Sequence, residues 1–238
     1  AMRTESGAAV SSEDFIYSYD IAEGETQSVV TMTLNIASDA WVKYHYTIYN
    51  TGNPSRDYLI DFNIEQQGLK NYLAGELMDI EWSNKSNKNE RGFQMENLAT
   101  TIAYYEREDK DWDTIDADGE KESVGELMWV ALKQQYFSSA FISKENFAAD
   151  MSFTSSAREG QDFLKAFNVA LHLPLTAESG VSHNAFYYGP NDFKILNDVE
   201  FEGEKTNLEE IIPMGGWLVG WINRFFTIPI FHWLKDLG

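Results

Sequence analysis

The chain has 238 residues, a formal net charge of −20 and no cysteine. That length can bury a substantial core as one large domain or two small ones. The charge disfavours nucleic acid, whose phosphates need Lys and Arg, and keeps the body off anionic lipid; without cysteine there is no disulfide, thiolate chemistry or Cys-based metal site.

Ala1 to Asp14 is small, polar and charged, with no apolar core of a signal peptide. Ala1-Met2 fits a cloning remnant, a targeting or anchoring segment is expected upstream, and 1–14 is read as a linker. A period of two then begins. Phe15, Tyr17, Tyr19 and Ile21 share one face, followed by Val30, Met32, Leu34 and Ile36, then Val42, Tyr44, Tyr46 and Ile48. Tyr58, Ile60, Phe62 and Ile64 continue it, as do Met78, Ile80 and Trp82. Successive side chains on a strand point to opposite faces, so these are expected to be half-buried strands. Glu23-Gly24, Asn50 to Pro54 and Gln67-Gly68 supply the turns. Short, regularly spaced strands with such turns predict an antiparallel sandwich.

Asn84 to Arg91 reads as a polar loop, Thr101 to Tyr105 as a strand, and Glu106 to Glu126 as an acidic excursion. Asp116 to Gly119 spells DxDG. As a calcium loop it would place Thr114 at the first ligand and Gly125 at the twelfth, so it is read as a solvated turn. Leu127 to Ile142 is a dense apolar stretch, read as two strands or one bent strand in the sheet interior. Phe147 to Phe153, Phe167 to Leu175 and Ser182 to Tyr188 add further strands, with Pro174 marking an edge or strand end. Asn191 is expected to cap a short helix through Asn197. These elements make 15–197 a β domain, 198–210 an acidic linker and 211–238 a separate helical segment.

That last segment differs from the rest. From Trp217 to Leu237, 13 of 21 residues are apolar, three of them Trp and three Phe. Asn223, Arg224, His232, Lys235 and Asp236 interrupt the run, whereas a spanning helix needs roughly 20 predominantly apolar residues. Pro229 should divide the helix. The segment reads as helix, break, helix, lying on a membrane surface through its Trp and Phe; packing against its own domain is the alternative.

Catalytic constellations are not evident. His45 and His172 fall on polar strand faces without ligand spacing, no GxSxG elbow occurs, and Gly203 to Thr206 only mimics the end of a phosphate loop. No metal or cofactor is expected. Trp41, Tyr49 and Trp112 could stack on a sugar or cover the sheet.

Three blocks carry a resemblance: Trp129 to Ile142 (WVALKQQYFSSAFI), Phe186 to Pro190 followed by a short helix with Leu196, and Gly215 to Leu234 (GGWLVGWINRFFTIPIFHWL). In this order and spacing they resemble the YidC membrane protein insertase family, in a Bacteroidetes-like branch. The resemblance implies the large periplasmic domain of such an insertase, on the periplasmic side of the bacterial inner membrane. It implies a mainly β fold, an antiparallel β-supersandwich similar to sugar mutarotases, with short C-terminal α-helices. The implied module is non-catalytic and supports insertion of nascent membrane proteins, with SecD–SecF and the Sec translocon as partners. The functional arginine of the family lies in a transmembrane core outside this sequence, so Arg224 is not that residue. Trp217, Trp221, Phe225, Phe226 and Trp233 are expected to seat the last segment in the bilayer interface, with Arg224 at the head groups. Gln134, Gln135, Tyr136, Phe137, Tyr188, Gly189, Pro190 and Gly216 are family-motif residues of structural role, the first four shaping the sheet core. The rival is a sugar-binding or mutarotase-like protein, which would gather His45, His172 or His183 with a Glu in one cleft; a third reading, compatible with the insertase one, is a chaperone-like cleft that holds extended or apolar polypeptide.

Overall fold

The alternation from Val30 to Ile64 folds as long neighbouring strands, and the rest of the chain builds two layers around them. The computed structural model describes residues 2–3, 9–69, 72, 77–115, 120–122, 125–157, 162–174, 179–212, 227, 230 and 233. In chain order the strands are β1 (Met2–Arg3), β2 (Ala9–Val10), β3 (Ser18–Glu23), β4 (Gln27–Ala37), β5 (Ala40–Tyr49), β6 (Leu59–Gln67), β7 (Leu77–Ser86), β8 (Thr101–Glu106), β9 (Asp111–Ile115) and β10 (Glu120–Glu122). They continue as β11 (Leu127–Lys133), β12 (Phe137–Ala157), β13 (Lys165–Pro174), β14 (Ser179–Pro190), β15 (Glu200–Phe201) and β16 (Glu204–Lys205). Three short helices intervene: α1 (Pro54–Asp57), α2 (Phe93–Ala99) and α3 (Phe193–Asn197).

The larger layer is ordered β3-β4-β5-β6-β14-β12-β11-β8-β9, and the smaller β7-β13-β12-β10. All these pairings are antiparallel. Strand β12 belongs to both. Its first part, through Ser143, pairs with β14, and its second part, from Ala148, pairs with β13. Strands that switch sheets do so at bends and bulges. Here the bend carries Asn146 at φ 66°, a left-handed conformation that Asn tolerates better than most side chains. Arg107 holds this corner: its Nε donates to Asn146 Oδ1 at 2.7 Å and its guanidinium pairs with Glu204. The apolar sequence Phe137 to Phe153 is therefore one strand in two sheets rather than separate strands.

The first core lies between the layers and includes Val42, Phe62, Ile64, Phe141, Phe153 and Leu171. The second covers the opposite face of the larger sheet. There Ala103, Ala131 and Ala140 sit side by side on three neighbouring strands, leaving a shallow trough that Leu196, Val199, Phe201, Leu208 and Ile211 fill. Burial on both faces explains why β11 reads as a continuous apolar run. It also corrects the linker reading of 198–210. The acidic side chains there are interleaved with Val199, Phe201 and Leu208, which pack onto the sheet while Glu200 and Glu202 face water.

Other expectations change with burial. The half-buried strand expected from Phe15 to Ile21 is a shorter edge strand, Ser18–Glu23, exposed along its whole length. Strand β7 runs on to Ser86, into the stretch read as a loop. The helix after β14 is capped by Asp192, whose carboxylate accepts from the Lys194 and Ile195 amides, and not by Asn191. Asn191 instead clasps the β11–β12 turn, donating from Nδ2 to the Gln134 carbonyl at 2.7 Å and accepting from Ser138 Oγ at 2.6 Å.

Candidate functional site

Two features qualify as functional surfaces: the cleft beside the smaller sheet and the C-terminal aromatic segment. The cleft has a volume of about 500 Å³, within the range of ligand pockets. Its floor is the inner face of the larger sheet, with Met32, Tyr44, Tyr46 and Phe62, and its wall is β7 from Met78 to Glu81. Alternation puts these aromatic residues on one face, and strand pairing brings Tyr46 and Phe62 into a stack with ring centroids 4.8 Å apart. Tyr17 leans on Tyr44 at 5.8 Å from the segment before β3. Burial raises the pKa of Tyr17, Tyr44 and Tyr46 and so suppresses their ionisation, and all three hydroxyls stay protonated. The cleft is thus apolar and aromatic at its base, with Glu13, Asp79 and Glu81 also lining it.

Among the described residues no histidine lines this cleft. His45 bridges Thr31 and Glu65, at 3.0 and 3.1 Å. His183 pairs with Glu145 at 3.2 Å, and His172 on the smaller sheet pairs with Asp79 at 2.8 Å. Each has a carboxylate neighbour: His45 and His183 flank Asn63 on one face of the larger sheet, two strands apart, His172 is on the smaller sheet, and none of the three is placed in the cleft. The aromatic residues considered for sugar stacking are engaged too. Trp41 lies under the Lys43 ammonium at 4.4 Å, and Tyr49 under the Arg56 guanidinium at 3.6 Å; Trp112 packs against the second core. The sugar-converting alternative loses the clustering it required. Among the described residues no group of three potential ligands could hold a metal ion; Asp116 to Gly119 lie outside them.

The described family-motif residues gather at one end of the sandwich, Gly216 lying outside the described residues. Gln134 to Tyr136 make the tight turn between β11 and β12, closed by the Gln134 amide donating to the Phe137 carbonyl at 2.9 Å. Tyr136 and Phe137 are exposed, Phe137 by 61 %, so they do not shape the sheet core as expected from their apolar neighbours. Tyr188 is half-exposed beside Phe186, ring centroids 5.9 Å apart. Gly189 and Pro190 finish β14, and Tyr187 Oη donates to the Pro190 carbonyl at 2.8 Å. That bond folds the Tyr187 ring over Gly189, where a Cβ would stand 2.4 Å from Tyr187 Oη and 3.0 Å from Tyr58 Cβ. Gly189→Ala should therefore cost roughly 1–3 kcal/mol in denaturant unfolding. Tyr187→Phe on that background should recover part of the loss by removing the nearest atom.

Trp129 has a role that its sequence neighbourhood concealed. Its ring is fully buried, stacks on Tyr105 at 5.7 Å, and donates from Nε1 to the Thr206 carbonyl at 2.8 Å. It thereby fastens the 198–212 stretch to the sheet. Tyr105 Oη accepts from Asn207 Nδ2 at 3.0 Å and strengthens the attachment.

Beyond Ile212 the described residues are Thr227, Ile230 and Trp233. Ile230 and Trp233 are each helical. Both are exposed, Trp233 by 62 %. Gly216, Trp217, Trp221, Arg224, Phe225 and Phe226 lie outside the described residues, as does Pro229. No described helix is long and apolar enough to cross a membrane.

Comparison with known proteins matches this architecture to one family. The family model for the YidC periplasmic domain covers residues 6–233. The membrane protein insertase YidC of Bacteroides fragilis is 30% identical over 235 residues, covering 97% of this chain and 37% of that protein. The YidC insertases of Phocaeicola vulgatus and Cytophaga hutchinsonii are 27% and 29% identical, covering 90% and 89% of this chain and 35% of each relative. The chain thus spans little more than a third of the length of these relatives. The match runs through the sandwich, the packed 198–212 stretch and the aromatic segment alike, and the chain belongs to the YidC periplasmic domain family.

Proposed function

We propose that this chain is a non-catalytic periplasmic module of a membrane protein insertase, on the periplasmic side of the bacterial inner membrane. The observation that carries this reading is the family match through residue 233, which includes the aromatic segment as well as the sandwich. The segment after Ile212 lies in the outer leaflet of the inner membrane, while Ile211 and Ile212 stay packed on the sandwich. Trp217, Trp221, Phe225, Phe226 and Trp233 enter the interface, and Arg224 and Lys235 stay near the head groups. Tryptophan suits that depth, because its ring is apolar and its N–H seeks water. The exposed, helical Ile230 and Trp233 support this pose, since a face buried against the chain's own domain would hide them. The sandwich holds the segment at the bilayer and offers surfaces to nascent membrane proteins and to Sec translocon subunits such as SecD–SecF.

Co-sedimentation with neutral phosphatidylcholine vesicles tests the anchoring. The comparison is between the whole chain and a chain ending at Ile212, which keeps Ile211 and Ile212 in the second core. Only the whole chain should bind, and binding should persist in high salt, because the contact is apolar and charge contributes little. A triple change of Trp217, Trp221 and Trp233 to Ser should weaken partitioning at least about tenfold, since each seated ring buries ~150–250 Å². Equal binding by both chains, or binding by neither, would remove the anchoring role.

A further inference from the structure

Large apolar side chains stand in water at the end of the sandwich that carries the β11–β12 turn. Tyr136 is 56 % exposed there, beside the exposed Phe137. Phe137 pairs with Pro190 and Ser139 with Tyr188, so alternation puts Phe137 and the half-exposed Tyr188 on one face of the sheet. Glu90 joins the turn to α2. Its carboxylate accepts from Tyr136 Oη at 3.3 Å, and its amide donates to the Glu96 carboxylate at 3.1 Å. Helix α2 adds a second apolar pair, Met95 75 % and Leu98 70 % exposed, three residues apart and so neighbours on the helix surface.

This end also departs from the acidic character of the chain, which has 18 Lys and Arg against 38 Asp and Glu. Lys88 and Arg91 are exposed on the way into α2, Lys133 precedes the turn, and Lys194 is exposed on α3. The acidic residues among them are Glu90, Glu96 and Asp192. Two of these carboxylates accept from backbone amides: Glu96 from Asn89 and Glu90, and Asp192 at the start of α3. Apolar and aromatic side chains with cations around them match the head-group region of a bilayer, where rings sit between apolar and wet surroundings and Lys and Arg reach the phosphates. A second copy of this chain fits poorly, because two chains of net charge −20 repel each other.

We propose that this end of the sandwich dips into the head-group region of the bilayer as a second membrane contact, led by Tyr136 and Phe137 with Tyr188, Met95 and Leu98 beside them. This deepens the module reading, on which it rests, by naming the end of the sandwich that faces the membrane. The chain path agrees with it. Helix α3 begins three residues after Pro190, and its backbone comes within 8 Å of the Leu208–Ile211 turn. The chain therefore leaves for the aromatic segment from beside an element that starts at this end. A few exposed side chains are too small a contact to hold the chain alone; they add to binding once an anchor has brought the sandwich to the surface.

The chain has no cysteine, so a single introduced one can carry the fluorophore NBD. Phe137→Cys places it at the turn. Asp109→Cys places it at an exposed site beyond the far end of β8, whose first residue Thr101 pairs with Lys133. On neutral phosphatidylcholine vesicles the label at 137 should shift to the blue, brighten several-fold and be quenched by lipid bearing a doxyl group near the head group. The label at 109 should change little. Tyr136→Ser with Phe137→Ser should weaken vesicle binding of the whole chain about tenfold, with an unchanged urea midpoint because both side chains are exposed. A separate arm removes the aromatic anchor. The chain with Trp217, Trp221 and Trp233 changed to Ser and a hexahistidine tail at its C terminus is held on vesicles carrying a nickel-chelating lipid, and its label at 137 should still be quenched. Quenching there, with no binding of the native chain to plain vesicles, would remove the anchoring reading and leave this one standing. A label at 137 that stays in water while the chain is held at the vesicle by either means overturns the proposal and leaves the surface to a protein partner. Equal quenching at 137 and 109 overturns it as well, since the sandwich would then lie on the membrane with no preferred end.

Discussion

Trp129→Ala should destabilise the chain by about 3–5 kcal/mol, the range for emptying a large buried aromatic site. The loss should concentrate on one face of the molecule. Trp129 is the fully buried ring beneath the 198–212 stretch, and its indole N–H is donated to the Thr206 carbonyl. Trp129→Phe separates the two contributions. It keeps an aromatic ring against Tyr105 and removes the hydrogen bond, so it should cost about 1–3 kcal/mol, the penalty for leaving a buried polar group unpaired. In both variants trypsin should cut faster at Lys205, on β16 in the released stretch, with little change in cleavage after Lys43 or Arg56. Uniform acceleration at all three sites would mean that Trp129 supports the whole sandwich and has no special hold on this stretch. The measurement bears on function because the aromatic segment follows directly after Ile212. A loosened attachment would leave vesicle binding intact and uncouple the sandwich from the anchor.

Much of the sandwich was legible because strand alternation is a local signal. The rows from Val30 to Ile64 and from Phe167 to Leu173 place most of their apolar residues inward as read, but Ile36, Ile48 and Tyr58 are exposed, and Tyr58 precedes the strand it was read into. The same signal overreached at Tyr19 and Ile21, which alternate like core residues but lie beyond the edge of the smaller sheet. Periodicity reports which side chains share a face; whether anything covers that face is a property of the other layer. The sheet switch within β12 was hidden for a related reason. Its only local mark is Asn146 in a left-handed conformation, and Asn is common in ordinary turns. The packing of 198–212 was obscured by composition, since four scattered apolar contacts, Val199, Phe201, Leu208 and Ile211, among acidic residues look like a linker until a trough of alanines is placed beneath them. Helix α2 buries only Glu96, whose carboxylate accepts from the Asn89 and Glu90 amides, and offers no apolar stripe for sequence reading to find. The motif residues Tyr136 and Phe137 were misplaced into the core because their apolar neighbours on β11 and β12 are buried, whereas these two sit at the hairpin tip. The aromatic segment was found by composition alone, and the family match extends through it.

The second large effect is expected at Lys165. It begins β13 in phase with Phe167, Val169 and Leu171, so alternation points it inward, and the structure buries it completely. A lysine in that position needs partners, because an isolated buried ammonium is far too costly. Its Nζ donates to the Asn97 carbonyl at 2.9 Å and to the Thr100 carbonyl. Those groups lie at the C-terminal end of α2, where helix carbonyls lack intrahelical partners and a cation is favourable. One side chain thereby ties the helix to the smaller sheet. Lys165→Met keeps the stem volume and removes the charge and its donors. It should lower stability by about 2–4 kcal/mol, since hydrogen bonds to charged groups contribute roughly 1.5–3 kcal/mol each and the Thr100 carbonyl would lose this donor, the Asn97 carbonyl keeping only the Thr100 amide. The check is a shift of the urea midpoint at unchanged slope. Lys165→Gln retains two N–H donors on a shorter stem and should recover part of the loss. If Met instead equals or exceeds the native stability, desolvation of the ammonium outweighs its bonds, as happens for some buried ion pairs. Lys165 would then hold α2 in place at a net energetic cost, and amide exchange in Phe93–Ala99 should quicken in the Met variant even as global stability rises.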